Sequence, residues 1–116
     1  MIMMSHNIAC AFDREKPASI SAPVHDYLRS VMGFDGVIIT DSLGMHGVRR
    51  FAPSASEQAV QAFLAGNDML CTPFPDKAYD SLLAAVRSGR ISEKRLDESV
   101  QRILALKMRY GIMNVG

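Results

Sequence analysis

The chain has 116 residues, 48% of them hydrophobic and 22% charged, the balance of one globular domain and not of a disordered segment. Thirteen Lys and Arg oppose twelve Asp and Glu, so a formal charge of +1 supplies no field to hold a nucleic-acid backbone or an anionic membrane. No apolar run approaches the roughly 20 residues that cross a bilayer, and Met1 to Met4 lack the basic start of a signal peptide, so a cytoplasmic location is expected. Cys10 and Cys71 stand apart, with no second Cys or His at metal spacing, and read as two reduced thiols; neither a metal nor an organic cofactor is expected.

In chain order, a first apolar run, Ile2 to Ser5, leads to a polar loop containing Asp13, Arg14, Glu15, Lys16 and Pro17. Ser21 is placed to cap a helix with Pro23 in its first turn, apolar Val24, Leu28, Val31 and Met32 on a face to be buried, and Gly33 as its stop. Gly36 to Thr40 holds Val37, Ile38 and Ile39 without polar alternation, as in a strand covered on both faces. A loop, Asp41 to Pro53, precedes a Ser54-x-x-Glu57 capping box and a helix carrying Ala59, Val60, Phe63 and Leu64 up to Gly66. A third strand is expected at Met69 to Thr72. The next helix starts near Asp76, buries Leu82, Leu83 and Val86 and stops at Gly89. Ser92 caps the last one, with Leu96, Val100, Ile103, Leu104 and Lys107 in one stripe.

Strands alternating with helices predict an α/β fold of parallel β/α units joined by right-handed crossovers. Three strands are few for a sheet whose faces and edges need cover, which points to a fragment.

Reactive groups of such a fold gather at the carboxyl ends of the strands. Asp41 stands there, at the start of a loop with Gly44 and Gly47, able to act as nucleophile, base or metal ligand or simply to cap the loop. A dehalogenase-type phosphatase needs a second Asp two residues on, where Leu43 stands, and no glycine-rich phosphate loop joins a strand to a helix. Of the histidines, His46 reads as a mobile loop residue and His25 as lying on a solvated helix face. Asn67 and Asp68 read as shaping the turn into the third strand, and Arg87, Arg90, Lys94, Arg95, Arg102, Lys107 and Arg109 as a solvated helical face.

The stretch Gly33-Phe34-Asp35-Gly36-Val37-Ile38-Ile39-Thr40-Asp41-Ser42-Leu43-Gly44-Met45 resembles the nucleophile segment of glycoside hydrolase family 3. Ser5-His6, Pro17 to Ser21, Ala65 to Leu70 and Arg102 to Lys107 follow in that family's order, so the resemblance covers nearly the whole chain. Ser42, where the β-glucosidase branch carries Trp, and the Pro17 to Ser21 segment favour the β-N-acetylhexosaminidase branch, which includes enzymes of cell-wall recycling.

The resemblance implies a partial (β/α)8 barrel, residues 1–116 forming a single C-terminal fragment of the catalytic barrel with its last three strands; a full barrel takes about 250 residues. It implies Asp41 as nucleophile of a retaining exo-β-N-acetylglucosaminidase acting on a β-linked N-acetylhexosaminide or muropeptide saccharide. His6, Ser42 and Met45 are the expected substrate-binding positions, although His6 also reads as closing a strand end and Met45 as a core filler. The branch's acid loop, a Lys-His-Phe-Pro-Gly-His-like motif, is absent from the sequence, so weak or no hydrolysis by the chain alone is expected. The alternatives are a β-glucosidase of the same family and a non-catalytic α/β remnant that self-associates, or completes a partner chain, through open sheet edges.

Overall fold

A computed structural model describes residues 1–114 and Gly116. Two short strands, β1 (Ile2–Met4) and β2 (Ile38–Thr40), pair in parallel with Ile2 opposite Ile38, Met3 opposite Ile39 and Met4 opposite Thr40. The third expected strand shrinks to one parallel bridge between Ile39 and Met69. The reason is local. Cys71 donates its N–H to the Thr40 hydroxyl instead of the Thr40 carbonyl, and the ladder stops after one rung. The architecture is therefore a small parallel sheet flanked by helices, in the β/α order expected.

Helices α1 (Ala22–Asp26), α2 (His46–Arg49), α3 (Ala55–Ala65), α4 (Pro75–Arg87) and α5 (Glu93–Arg109) follow. Helix α1 continues into a π-helical segment, Tyr27–Val31, and this wider turn shifts the helical phase. Val24 and Leu28 stay half-buried against β1 and β2, whereas Val31 and Met32, expected in the core, face outward at 69% and 64% exposure. Ser21 does not cap this helix either, because its hydroxyl donates to Asp13 Oδ2 at 2.7 Å. Helix α2 lies inside the stretch expected to be loop and exists to bury Val48, which packs with Ile20, Leu43 and Ala62.

The cap of α3 forms in one direction. Ser54 Oγ accepts the Glu57 N–H at 3.1 Å, while the Glu57 carboxylate turns away to Gln61 and Arg90. Ala59, Val60, Ala62 and Phe63 are buried, but Leu64 is 43% exposed. Gly66 ends the helix at φ 129°, and a side chain there would sit 2.8 Å from His25 Cβ, so both backbone and packing demand glycine. Helix α4 closes the second cluster, Val60, Phe63, Ala85 and Ile91. Helix α5, capped by Ser92 Oγ on the Arg95 N–H, leaves Leu96, Val100 and Leu104 exposed and buries Ser99 instead.

Helices cover only one face of the sheet. Met4 and Ile38 pack with Ala18 beneath them, while Met3 on the other face is 60% exposed and Ile39 and Met69 beside it are half-buried. The expectation that β2 is covered on both faces is thus corrected. Among the described residues no helix is long and apolar enough to cross a membrane.

Candidate active site

The carboxyl ends of β1 and β2 carry one connected layer of polar groups. Asp41 extends the pairing by one step, its N–H donating to the Met4 carbonyl at 2.8 Å. A regular parallel ladder built on the Ile39–Met69 bridge would next direct the Ser42 N–H to the Cys71 carbonyl. Leu43 N–H takes that carbonyl instead, at 2.8 Å, and the Ser42 N–H folds back onto Asp41 Oδ1 at 2.7 Å. One extra residue therefore sits at the end of β2, a bulge-like break just after Asp41 that takes the Ser42 N–H out of the ladder and drives Leu43 into the core at 1% exposure. Asp41 remains half-buried, and its Oδ2 has no hydrogen bond among the described residues.

His6 ties the layer together. Its Nδ1 lies 2.7 Å from Ser19 Oγ and its Nε2 lies 2.8 Å from the Ser42 carbonyl oxygen. Expected to face a saccharide, His6 spends both ring nitrogens inside the protein. Gly47 makes room for it, since a Cβ at that position would fall 2.9 Å from His6 Cβ, and Gly44 similarly lets Pro73 approach. Ser42 is half-buried beside Asp41, and Met45, at the start of α2, is 48% exposed. His46 is exposed and makes no hydrogen bond to Asp41 among the described residues.

A cavity of about 150 Å³ lies behind this loop, lined by Leu43, Gly44, Arg49, Gln58, Pro73 and Phe74, without Asp41. Another cavity, of about 540 Å³, lies between the Asp13–Lys16 loop, the start of α1 and α3, and Asp41 does not line it either. Charged residues such as Lys16 and Arg90 line it.

The opposite end of the sheet holds a second carboxylate that the sequence did not advertise. Asp68 is buried at 6% exposure. Its Oδ2 accepts from Arg29 Nη2 at 2.7 Å and from the Ile38 N–H at 2.9 Å, and its Oδ1 accepts from Ser99 Oγ at 2.7 Å and from Arg102 Nη1 at 3.0 Å. Arg95 stands behind at 3.8 Å and anchors on the Phe63 and Asn67 carbonyls. Burial pushes the Asp68 carboxyl upward, but the hydrogen bonds from Ile38, Ser99 and Arg102 and the charge of Arg29 outweigh it, leaving its pKa below the usual carboxylate value. Arg29 and Arg95 are lowered, chiefly by burial.

Both Asp68 oxygens are saturated, and the group sits at the amino end of β2, so it clamps α1, α5 and the sheet together. Arg95 and Arg102, expected on a solvated helical face, are instead partly buried, with side chains 20% and 27% exposed. The overlooked signal was Arg95, Ser99 and Arg102 at helical spacing on one face of α5. Asn67 does shape the turn, donating from Nδ2 to the Ser19 and Ala62 carbonyls. His25, expected in solvent, is 1% exposed, with Nδ1 donating to the Ser21 carbonyl at 2.8 Å.

Residues 1–106 match the family described as the glycosyl hydrolase family 3 N terminal domain. The chain is 39% identical over 90 residues to a β-N-acetylglucosaminidase/β-glucosidase of Cellulomonas fimi, covering 77% of this chain and 16% of the relative. It is 31% identical over 114 residues to a β-hexosaminidase of Chromobacterium violaceum, covering 90% of this chain and 32% of the relative. Among solved structures, a family 3 β-N-acetylglucosaminidase from Paenibacillus sp. FPU-7 superposes with a TM-score of 0.79 at 43% identity, over 89% of this chain and 20% of that one. The chain thus spans between a sixth and a third of the length of these relatives. With the order of its landmarks, the parallel sheet and the family match all in agreement, the chain belongs to glycosyl hydrolase family 3.

Proposed function

We propose that Asp41 is the nucleophile of a retaining β-N-acetylhexosaminidase site and that residues 1–116 form the later part of its catalytic barrel. The observation that carries the reading is the bulge at the carboxyl end of β2, where a half-buried carboxylate has one oxygen held by the Ser42 N–H and the other unbonded among the described residues. The relatives' names support the substrate class. In this reading Asp41 attacks the anomeric carbon of a β-linked N-acetylhexosaminide as the glycosidic C–O bond breaks, and water then hydrolyses the glycosyl ester with net retention. Ser42 and exposed Met45, which follow Asp41 on the same loop, are the substrate contacts in this reading.

The leaving oxygen needs a proton donor, and the branch's acid-loop motif does not occur in the sequence. The test therefore uses a 2,4-dinitrophenyl N-acetyl-β-glucosaminide, whose phenolate departs without protonation. The expected result is a burst of dinitrophenolate with a covalent glycosyl group on Asp41, detected by mass spectrometry and absent in Asp41→Asn. Equal release by the parent and Asp41→Asn, or no adduct at all, overturns the assignment. The same assay with the corresponding β-glucoside separates the hexosaminidase from the glucosidase reading.

A second reading, association through the uncovered sheet, is favoured by the apolar row of exposed Met3 and half-buried Ile39 and Met69.

A further inference from the structure

His6, half-buried at the carboxyl rim, has both ring nitrogens engaged within the protein. Its backbone follows β1, its Nδ1 faces the hydroxyl of Ser19, which is fully buried, and its Nε2 faces the Ser42 carbonyl, contributed by a segment 36 residues away. A carbonyl only accepts, so Nε2 carries the proton and, in the neutral ring, Nδ1 accepts from the Ser19 hydroxyl. The Ser42 carbonyl also accepts the Met45 N–H at 3.1 Å. Ser42 is therefore pinned at both ends: its carbonyl by His6 and the first turn toward α2, its N–H by Asp41 Oδ1 at 2.7 Å. Gly47 lets α2 press on His6 Cβ and closes the ring from above.

We propose that His6 is a positioning residue for Asp41: by donating Nε2–H to the Ser42 carbonyl it holds the bulged turn whose N–H orients the Asp41 carboxylate. The inference rests on the reading of Asp41 as nucleophile. A displaced turn would cost catalysis because misplacing a reacting atom by about 1 Å costs on the order of 100-fold in rate.

Two substitutions separate this role from simple packing. In His6→Gln the side-chain amide reaches the Nε2 position and keeps the donor to Ser42. In His6→Asn the amide reaches only the Nδ1 position, keeping the Ser19 contact and losing Ser42. The first arm is NMR of the chain itself and needs no activity. In the parent and His6→Gln, the expected result is one Asp41 χ1 rotamer and the downfield carbonyl ¹³C shift of a doubly hydrogen-bonded Ser42; in His6→Asn, an averaged χ1 and an upfield Ser42 carbonyl. An unchanged Asp41 rotamer and Ser42 shift in His6→Asn overturn the proposal, as does equal perturbation by both variants.

The second arm is hydrolysis of the dinitrophenyl glycoside. His6→Asn is expected to lower kcat by about 10- to 100-fold with KM little changed, and His6→Gln to restore most of the loss. A rise in KM alone would mean that His6 touches the sugar, and that too overturns the proposal. Absence of turnover in the parent counts against the nucleophile assignment, and the first arm then decides whether His6 positions the turn.

Discussion

Asp41 and Asp68 grip opposite ends of β2. Asp41 leaves its carboxyl end in a bulge, with Oδ1 on the Ser42 N–H, whereas Asp68 accepts the Ile38 N–H at its amino end, among three arginines. The two carboxylates divide the labour: among the described residues one keeps an unbonded oxygen and the other is saturated. Their substitutions are expected to fail in opposite ways.

Asp68→Asn removes the only negative charge bonded to Arg29 and Arg102 among the described residues and is expected to cost about 3 kcal/mol or more, measured as a lower urea midpoint at neutral pH. The pH dependence carries a signature as well. The Asp68 carboxyl is depressed below its unfolded value of 3.8, so its stabilisation is complete above that value and is lost as pH falls through the lower, folded pKa. The acid limb of the stability curve, followed from about pH 7 to about pH 3, should flatten in Asp68→Asn. An unaltered acid limb would show that the arginine clamp does not depend on this charge.

Asp41→Asn should leave stability within about 1 kcal/mol of the parent, because the amide oxygen still accepts the Ser42 N–H and no other described residue hydrogen-bonds the side chain. The covalent adduct expected under the proposed function should vanish in the same variant. A large fall in melting temperature would place Asp41 in the structural class with Asp68.

Gly47→Ala places a methyl group 2.9 Å from His6 Cβ, where neither the ring nor the helix backbone can withdraw easily. Overpacking of this kind costs about 1–3 kcal/mol, read by thermal unfolding, and should shift the Ser42 carbonyl resonance together with the His6 ring. A parent-like melting curve and spectrum would mean that α2 floats free of His6.

Met3→Lys tests the uncovered face. Met3 is 60% exposed on a strand whose outer edge is unpaired among the described residues, next to half-buried Ile39 and Met69. The parent is expected to gain mass with concentration in sedimentation velocity, and the lysine variant to stay closer to the 12.7 kDa of one chain. A parent that stays at that mass at every concentration removes the case for association through this face.

The β/α order, the place of Asp41 and the helix caps at Ser54 and Ser92 were legible in the sequence because each is written in neighbouring residues. An apolar run followed by Asp and a glycine-bearing loop, or a serine three residues before the N–H it accepts, needs no distant partner. The third strand, the π-helical turn after α1 and the burial of His25 were not legible. Thr40 Oγ1 intercepts Cys71 31 residues away, Arg29 turns inward to meet Asp68 39 residues away, and His25 is sealed by the close approach of Gly66.

The sequence by itself determined the β/α order and most of the helices, and that a carboxylate stands where β2 ends, because local propensity and hydrophobic spacing act within a few residues. Only the tertiary structure decided which carboxylate stays open and which is locked, and what holds the turn between Asp41 and Ser42. Those outcomes depend on hydrogen bonds and charges from segments brought together by folding, such as His6 with Ser19 and Ser42, and no local pattern encodes such meetings.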